Sequence, residues 1–152
     1  MTIRTAQISD FETIKNITRQ TIKSVYPHYY PSGAVDFFLS HHSDEAIQRD
    51  ILNGCVFICF SGTGIPVGTV TINCNEINRL FVLPEYQGKG FGGSLLNFAE
   101  NRIFLQYSEI HLDASLPAKL IYLKRNYTIV GSHSLKTENG DFLCYDVMTK
   151  LR

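Results

Sequence analysis

Read from its amino end, the chain switches between alternating and helical spacing of its apolar residues. Ile3 to Ile8 alternates, with Ile3, Thr5 and Gln7 set against Arg4, Ala6 and Ile8, and predicts a short strand. Ser9-Asp10 then opens a helix whose face is Phe11, Ile14, Ile17, Thr18 and Ile22, and Pro27 ends it soon after Val25. Gly33–Leu39 and Ser43–Leu52 carry apolar residues at helical spacing and predict two short helices. An antiparallel meander follows, made of Cys55–Phe60, a loop at Ser61-Gly62-Thr63-Gly64, Val67–Asn73 and Glu76–Val82. Leu95, Leu96, Phe98, Ala99, Ile103 and Phe104 mark a helix from Gly92 to about Gln106, and Glu109–Ala114 reads as a fifth strand. Strand, helix and strand of that length imply one right-handed parallel crossover. A helix over Leu116–Arg125, with Pro117 in its first turn and Asn126 as a left-handed cap, precedes strands at Thr128–Thr137 and Phe142–Lys150. Their Asn139-Gly140 pair is a strong hairpin signal. The fold class expected is α/β (α+β): a mixed, mostly antiparallel sheet of about seven strands, with one parallel crossover and helices on both faces.

The densest chemistry lies where the apolar run Leu80-Phe81-Val82-Leu83 stops at Pro84 and becomes Gln87-Gly88-Lys89-Gly90-Phe91-Gly92-Gly93-Ser94, at the start of the fourth predicted helix. A helix N-terminus is an anion site, because its first N–H groups lack intrahelical partners and the macrodipole places positive charge there. Four glycines in six residues, Gly88 to Gly93, cost backbone entropy that a mere cap does not require. A nucleoside-triphosphate P-loop fails, since Gly88-Lys89 is followed by Gly90 instead of Ser or Thr. Gly88-x-Gly90-x-x-Gly93, with Asp113 about 20 residues later, matches a dinucleotide fingerprint. Five residues, Leu83 to Gln87, separate it from the strand, and about half the chain precedes it.

Gln87-x-x-Gly90-x-Gly92 resembles the Q/R-x-x-G-x-G/A loop of the GNAT superfamily, the acyl-coenzyme A-dependent N-acyltransferases. Glu76 stands eleven positions before Gln87, where many members place a glutamate on the fourth strand, and Ala118-x-x-x-Tyr122-x-Lys124-x-Asn126-Tyr127 is similar to the family's A-x-x-x-Y-x-K-x-G-F segment. The resemblance covers the whole chain, most specifically Glu76 to Tyr127. It implies the GNAT fold and transfer of an acetyl group from acetyl-coenzyme A to a primary amine: a small amine, a peptide N-terminus or a lysine. Two departures stand out. Ser115-Leu116-Pro117-Ala118 replaces the N-x-x-A of many members, and Asn126 replaces a glycine, a mild change because asparagine tolerates left-handed backbone.

Composition narrows the alternatives. With 152 residues and 44% hydrophobic content, the chain suits one domain over 1–152. Fourteen basic and fourteen acidic residues give no electrostatic signal for nucleic acid or an anionic membrane. No apolar run approaches the ~18 residues of a membrane span, and Met1 to Ala6 lacks an apolar leader, so a cytoplasmic location is expected. Cys55, Cys59, Cys74 and Cys144, with no C-x-x-C spacing, read as reduced core thiols. The run His41-His42-Ser43-Asp44-Glu45 is the nearest approach to a metal cluster, and no metal site is expected, because adjacent histidines point apart and Ser43 reads as a helix cap. A homodimer is one expected arrangement of the chain.

Amine acylation needs a cofactor clamp, a neutral amine, a polarised carbonyl and a proton for the departing thiolate. The clamp is expected at Gln87, Gly88, Lys89, Gly90, Phe91, Gly92, Gly93 and Ser94, whose amides would take the pyrophosphate. Leu80, Phe81 and Val82 would lie beside the acyl group, with a backbone N–H near Phe81 or Val82 facing its oxygen. By the resemblance, Ser115, Ala118, Tyr122 and Lys124 complete the cofactor site. Glu76 is the expected base, directly or through water, and Tyr122 the expected acid beside the sulfur. Tyr26, Tyr29 and Tyr30, clustered between Val25 and Pro31, and His41 are the expected acceptor wall. Two other classes stay open: a non-catalytic acyl-coenzyme A sensor and a nicotinamide-dependent oxidoreductase.

Overall fold

Seven strands and five helices form along residues 1–152 of the computed structural model: β1 (Thr2–Thr5), α1 (Phe11–Val25), α2 (Ser32–His41), α3 (Asp44–Leu52), β2 (Val56–Phe60), β3 (Pro66–Asn73), β4 (Glu76–Val82), α4 (Phe91–Phe104), β5 (Glu109–Ser115), α5 (Leu116–Leu123), β6 (Thr128–Lys136) and β7 (Phe142–Leu151). They build one open sheet in the order β1-β2-β3-β4-β5-β7-β6. Only β4 and β5 run parallel, through the crossover helix α4.

Alternation along the strands sorts side chains onto two faces. Phe57 and Cys59 of β2 join Val70, Ile110 and Leu112 under α4, against Leu95, Leu96, Ala99 and Ile103. Val56 and Ile58 point the other way, to Ile14, Ile47 and Ile51 of α1 and α3. A third cluster ties Ile17 and Ile22 of α1 to Phe81, Leu83 and Leu143. Gly68 is where α4 comes closest, since a Cβ there would stand 2.9 Å from both Leu95 Cδ1 and the Phe81 carbonyl oxygen.

Two departures from the sequence pattern have local causes. β1 stops at Thr5 because the Asp10 carboxylate accepts a hydrogen bond from the Gln7 N–H at 2.8 Å and draws Ile8–Asp10 into a 3-10 turn. The cysteines are not all core thiols. Cys59 is buried and Cys55 half-buried, while Cys74 sits exposed in the β3–β4 turn and Cys144 is exposed on β7. Other boundaries fall close to expectation, including the Ser43 cap of α3, whose Oγ accepts from the Ala46 N–H at 3.2 Å. No helix is long and apolar enough to cross a membrane.

The feature that positions the site is a bulge in β4. Thr69 pairs with Phe81 and Thr71 with Asn78, so Arg79 and Leu80 together oppose Val70. Arg79 takes a positive φ of 38°, strained for a residue with a Cβ. Its guanidinium compensates by donating to Thr71 Oγ1 at 3.3 Å and pairing with Asp50 of α3. A bulge bends its strand and re-aims side chains. Past the one parallel pair, Glu76 with His111, β4 and β5 have no further paired residues, and a cleft opens between their carboxyl-terminal halves.

Candidate active site

The cleft encloses about 650 Å³. On its α4 side, β4 runs through a 3-10 turn at Pro84–Tyr86 into the glycine loop. Gln87 holds that loop to the strand by donating Nε2–H to the Val82 carbonyl at 2.9 Å. Gly88 and Gly90 have φ of 73° and 88°, and Gly90 is the left-handed N-cap of α4, where a side chain would be strained. Gly92 and Gly93 need another explanation. Their φ values are ordinary, and a Cβ would meet only Val82 Cγ2 at 3.8 Å from Gly92 and nothing within 4 Å from Gly93. Two glycines in a helix's first turn cost ~1 kcal/mol each relative to alanine, and neither packing nor turn geometry calls for them. What they leave is open space in front of free N–H groups, the cradle an anionic ligand needs.

Helix α5 forms the facing wall with Pro117, Ala118, Ile121 and Tyr122. Both of its ends are tied down. At the start, the Leu116 N–H donates to Tyr30 Oη at 2.8 Å while Tyr30 donates to the Cys144 carbonyl at 3.0 Å, and the hydroxyls of Tyr26 and Ser115 lie 3.3 Å apart. Beyond its other end, Arg125 pairs with the buried Glu100 of α4 at 2.7 Å, joined by Lys150 at 3.1 Å. Between these anchors Tyr122 is buried edge-on against Tyr127, 5.4 Å between ring centroids. Burial, and secondarily the nearby Tyr26, raises its phenol well above the ordinary value. The hydroxyl therefore keeps its proton throughout the physiological range.

On the opposite side the walls are aromatic. Tyr26 packs edge-on to Phe38 at 4.7 Å, and Phe37 stacks on His41 at 5.9 Å. His42 stands edge-on to Phe81 at 5.5 Å. Its imidazole is pushed down to about 3, first by burial and then by the Arg79 and His41 charges, so the ring is neutral, and its Nδ1 is buried without a partner. Strand β7 adds Leu143 and Tyr145, β4 adds Asn78 and β5 adds Asp113.

The sequence matches the family described as acetyltransferase (GNAT) domain over residues 25–142. The chain belongs to the GNAT family. It is an acyltransferase enzyme, and acetyl transfer is its chemistry. Solved structures agree. The chain is similar to a GCN5-related N-acetyltransferase, "Aminotransferase, Class-II", from Rhodopseudomonas palustris, with a TM-score of 0.88 and 25% identity over 99% of this chain and 95% of that one. PaiA N-acetyltransferase from Thermoplasma acidophilum in complex with coenzyme A gives 0.75 at 22% identity, covering 99% and 98%. Ribosomal-protein-alanine N-acetyltransferase from Brucella melitensis gives 0.73 at 14%, covering 100% of both chains. These last two show the shared fold alone. No curated protein matches the chain.

Against this GNAT frame the expected residues divide. Leu80, Phe81, Val82 and Gln87 line the cleft with the glycines Gly88, Gly90, Gly92 and Gly93, as do Ser115, Ala118 and Tyr122. Lys89, Phe91, Ser94 and Lys124 do not. Lys89 lies over the Tyr86 ring at 5.3 Å, Phe91 packs on the core, Ser94 turns its hydroxyl back to the Gly90 carbonyl at 3.1 Å, and Lys124 caps α5 in solvent. Tyr26, Tyr29 and His41, expected as an acceptor wall, line the cleft, but Tyr30 does not; it is buried and its hydroxyl accepts from the Leu116 N–H of α5. Glu76 also lies off the cleft, at the paired root of β4, two residues before the lining Asn78. Sequence reasoning passed over His42, Asn78 and Tyr145, and noted Asp113 only for the dinucleotide match. The alternation of β5 carried the signal for Asp113: Ile110, Leu112 and Ala114 are buried on one face, so His111, Asp113 and Ser115 face the other.

Proposed function

We propose that this GNAT enzyme moves the acetyl group of acetyl-coenzyme A to a primary amine by direct attack, with the 152 residues acting as one catalytic domain. The observation that carries this is the pair Gly92 and Gly93, open to the cleft at the N-terminus of α4, with Tyr122 lining the same cleft. The amides from Gly88 to Gly93 would hold the pyrophosphate, since those of Gln87 and Ser94 are spent on the Pro84 and Gly90 carbonyls, and Ala118 and Ser115 would flank the pantetheine. Bound there, the cofactor supplies an acetyl thioester. A backbone N–H at Phe81 or Val82, just past the β4 bulge, would polarise the carbonyl. Tyr122 would donate its hydroxyl hydrogen to the sulfur as negative charge develops, which a phenol held protonated by burial is suited to do.

The amine must arrive neutral or lose its proton in the cleft. Glu76 stands two strand positions, roughly 6–7 Å, from Asn78, so it would receive that proton through water and not directly. A nicotinamide reading has less support, because the strand before the glycines is bulged and a 3-10 turn intervenes. The experiment is an amine screen with acetyl-coenzyme A, reading thiol release, alongside thermal shifts with acetyl-coenzyme A and NADH. Stabilisation by NADH alone would overturn the proposal, and cofactor stabilisation with thiol release in the presence of an amine would support it.

A further inference from the structure

The acceptor side of the cleft carries a charge pattern that selects among amines. No lysine or arginine lines the cleft, and the one carboxylate that does is Asp113. Several carboxylates elsewhere in the fold are paired with cations. Asp44 is paired with Lys15 and Arg19, Asp50 with Arg79, and Asp146 with Lys119. The titratable groups that act on Asp113 are the imidazoles of His133 and His41, each of which stacks on an aromatic ring, His133 on Tyr145 at 5.2 Å and His41 on Phe37.

Its orientation follows from register. Asp113 pairs with Val147 and Ser115 with Tyr145 across β5 and β7, and antiparallel partners share a face. That face is the one occupied by Tyr26, Phe38 and Leu143, opposite α4 and the glycine loop. Asp113 is thus on the acceptor side, open to the cleft yet among apolar walls, and the partial loss of water raises its carboxyl above the ordinary range. Asp113 is exposed to the cleft, forms no ion pair there, and has no lysine or arginine beside it in the lining. An ammonium supplies a cation, and the rings of Tyr26, Tyr29 and Tyr145 add attraction for positive charge and surface for an apolar body.

Building on the acetyltransferase reading, we propose that Asp113 captures the acceptor as an ammonium, whose proton then passes through water to Glu76 before the neutral amine attacks, and that the acceptor is an arylalkyl or similarly apolar amine without a carboxylate. A carboxylate on the acceptor would meet Asp113 with no lysine or arginine in the cleft to balance it, so an amino acid of the same shape is rejected by repulsion.

The test uses the full chain saturated with coenzyme A, titrated calorimetrically with 2-phenylethylamine and with phenylalanine, in the parent and in Asp113→Asn. The parent should bind 2-phenylethylamine at least tenfold more tightly than phenylalanine. Asp113→Asn should weaken 2-phenylethylamine at least tenfold, shrink the preference over phenylalanine to within about threefold and leave coenzyme A affinity unchanged. Equal affinity for the two probes in the parent, or an unchanged preference in Asp113→Asn, overturns the proposal. Thiol release measured on the same preparations separates the two readings. Turnover of an amine without the charge preference removes the Asp113 anchor and keeps the acetyltransferase. The preference without turnover keeps the anchor and removes the assigned reaction.

Discussion

The two sides of the cleft are built by different means. The α4 side is almost one continuous segment, Leu80 to Gly93, and its working groups are backbone N–H donors with glycine-cleared space before them. The acceptor side gathers side chains from the end of α1, from α2, from β5 and from β7, distant in sequence and brought together only by the sheet. A cofactor handle that never changes can be held by backbone, which no substitution other than a bulky one at glycine alters. An acceptor that differs from enzyme to enzyme is met by side chains, each free to change without disturbing the clamp. The difference predicts that damage on one side leaves the other working.

The largest effect is expected at the point where both sides meet. Tyr122→Phe keeps the ring and the core packing but removes the donor, so kcat should fall by roughly 10²–10⁴-fold with cofactor affinity retained. Melting temperature and kcat measured on one preparation decide it, and a rate within threefold of the parent would take Tyr122 out of the mechanism.

Next comes the clamp. Gly92→Val has room for its side chain in the protein but fills the cradle, so acetyl-coenzyme A should bind about 100-fold more weakly, the scale of losing two charge-assisted hydrogen bonds, with the fold intact. Calorimetry gives the affinity directly. An unchanged dissociation constant would break the assignment of this side, and a parallel loss of acceptor affinity in cofactor-free protein would break the comparison itself.

Gly33→Ala attacks the acceptor side from beneath. The Gly33 N–H at the start of α2 donates to the Asp141 carboxylate at 2.9 Å, and a Cβ there would lie 1.9 Å from Asn139 Oδ1. The methyl group displaces the β6–β7 hairpin from α2, costing about 1–3 kcal/mol and raising the acceptor KM more than the cofactor KM. Equal changes in both constants would mean that the hairpin supports the whole cleft.

The smallest effect, taken per pH unit, is a pH dependence. His42 is held neutral in the fold with its imidazole near 3, whereas an unfolded imidazole titrates near 6.5, so between those values the unfolded chain binds more protons. Stability therefore falls as pH drops from about 6.5 toward 3, by at most ~1.4 kcal/mol per pH unit from this residue. Denaturant melts of the parent and His42→Phe across that range should show the stability difference moving in favour of the variant as pH falls, and a difference that does not change with pH would remove His42 from the pH dependence. Tyr122, raised instead of lowered, adds nothing to the pH dependence of stability in this range.

The same division marks how much of the site was legible in the sequence. The glycine loop could be read because Gln87, Gly88, Gly90, Gly92 and Gly93 are close neighbours and the apolar spacing after them announces α4. The acceptor wall was read from the clustering of Tyr26, Tyr29 and Tyr30, and clustering cannot tell a lining ring from a buried strut. Tyr30 proved to be a strut because Leu116 and Cys144, over eighty residues away, claim its hydroxyl. Glu76 was placed by spacing from Gln87, but whether a β4 side chain reaches the cleft depends on where β4 and β5 part, which is a property of both strands.

By itself, the sequence determined the order and type of the elements, the two-faced alternation of the strands and the glycine loop at the head of α4, because periodicity, capping and glycine's backbone freedom act within a few residues. Only the tertiary structure decided that Arg79 sits in a bulge supported by Asp50 of α3, that His42 lies neutral against Phe81, and that Asp113 faces aromatic walls without a cation. Those are outcomes of register and burial. A side chain's charge state and partners depend on what the rest of the chain brings within a few ångströms of it, and no local pattern encodes that distance.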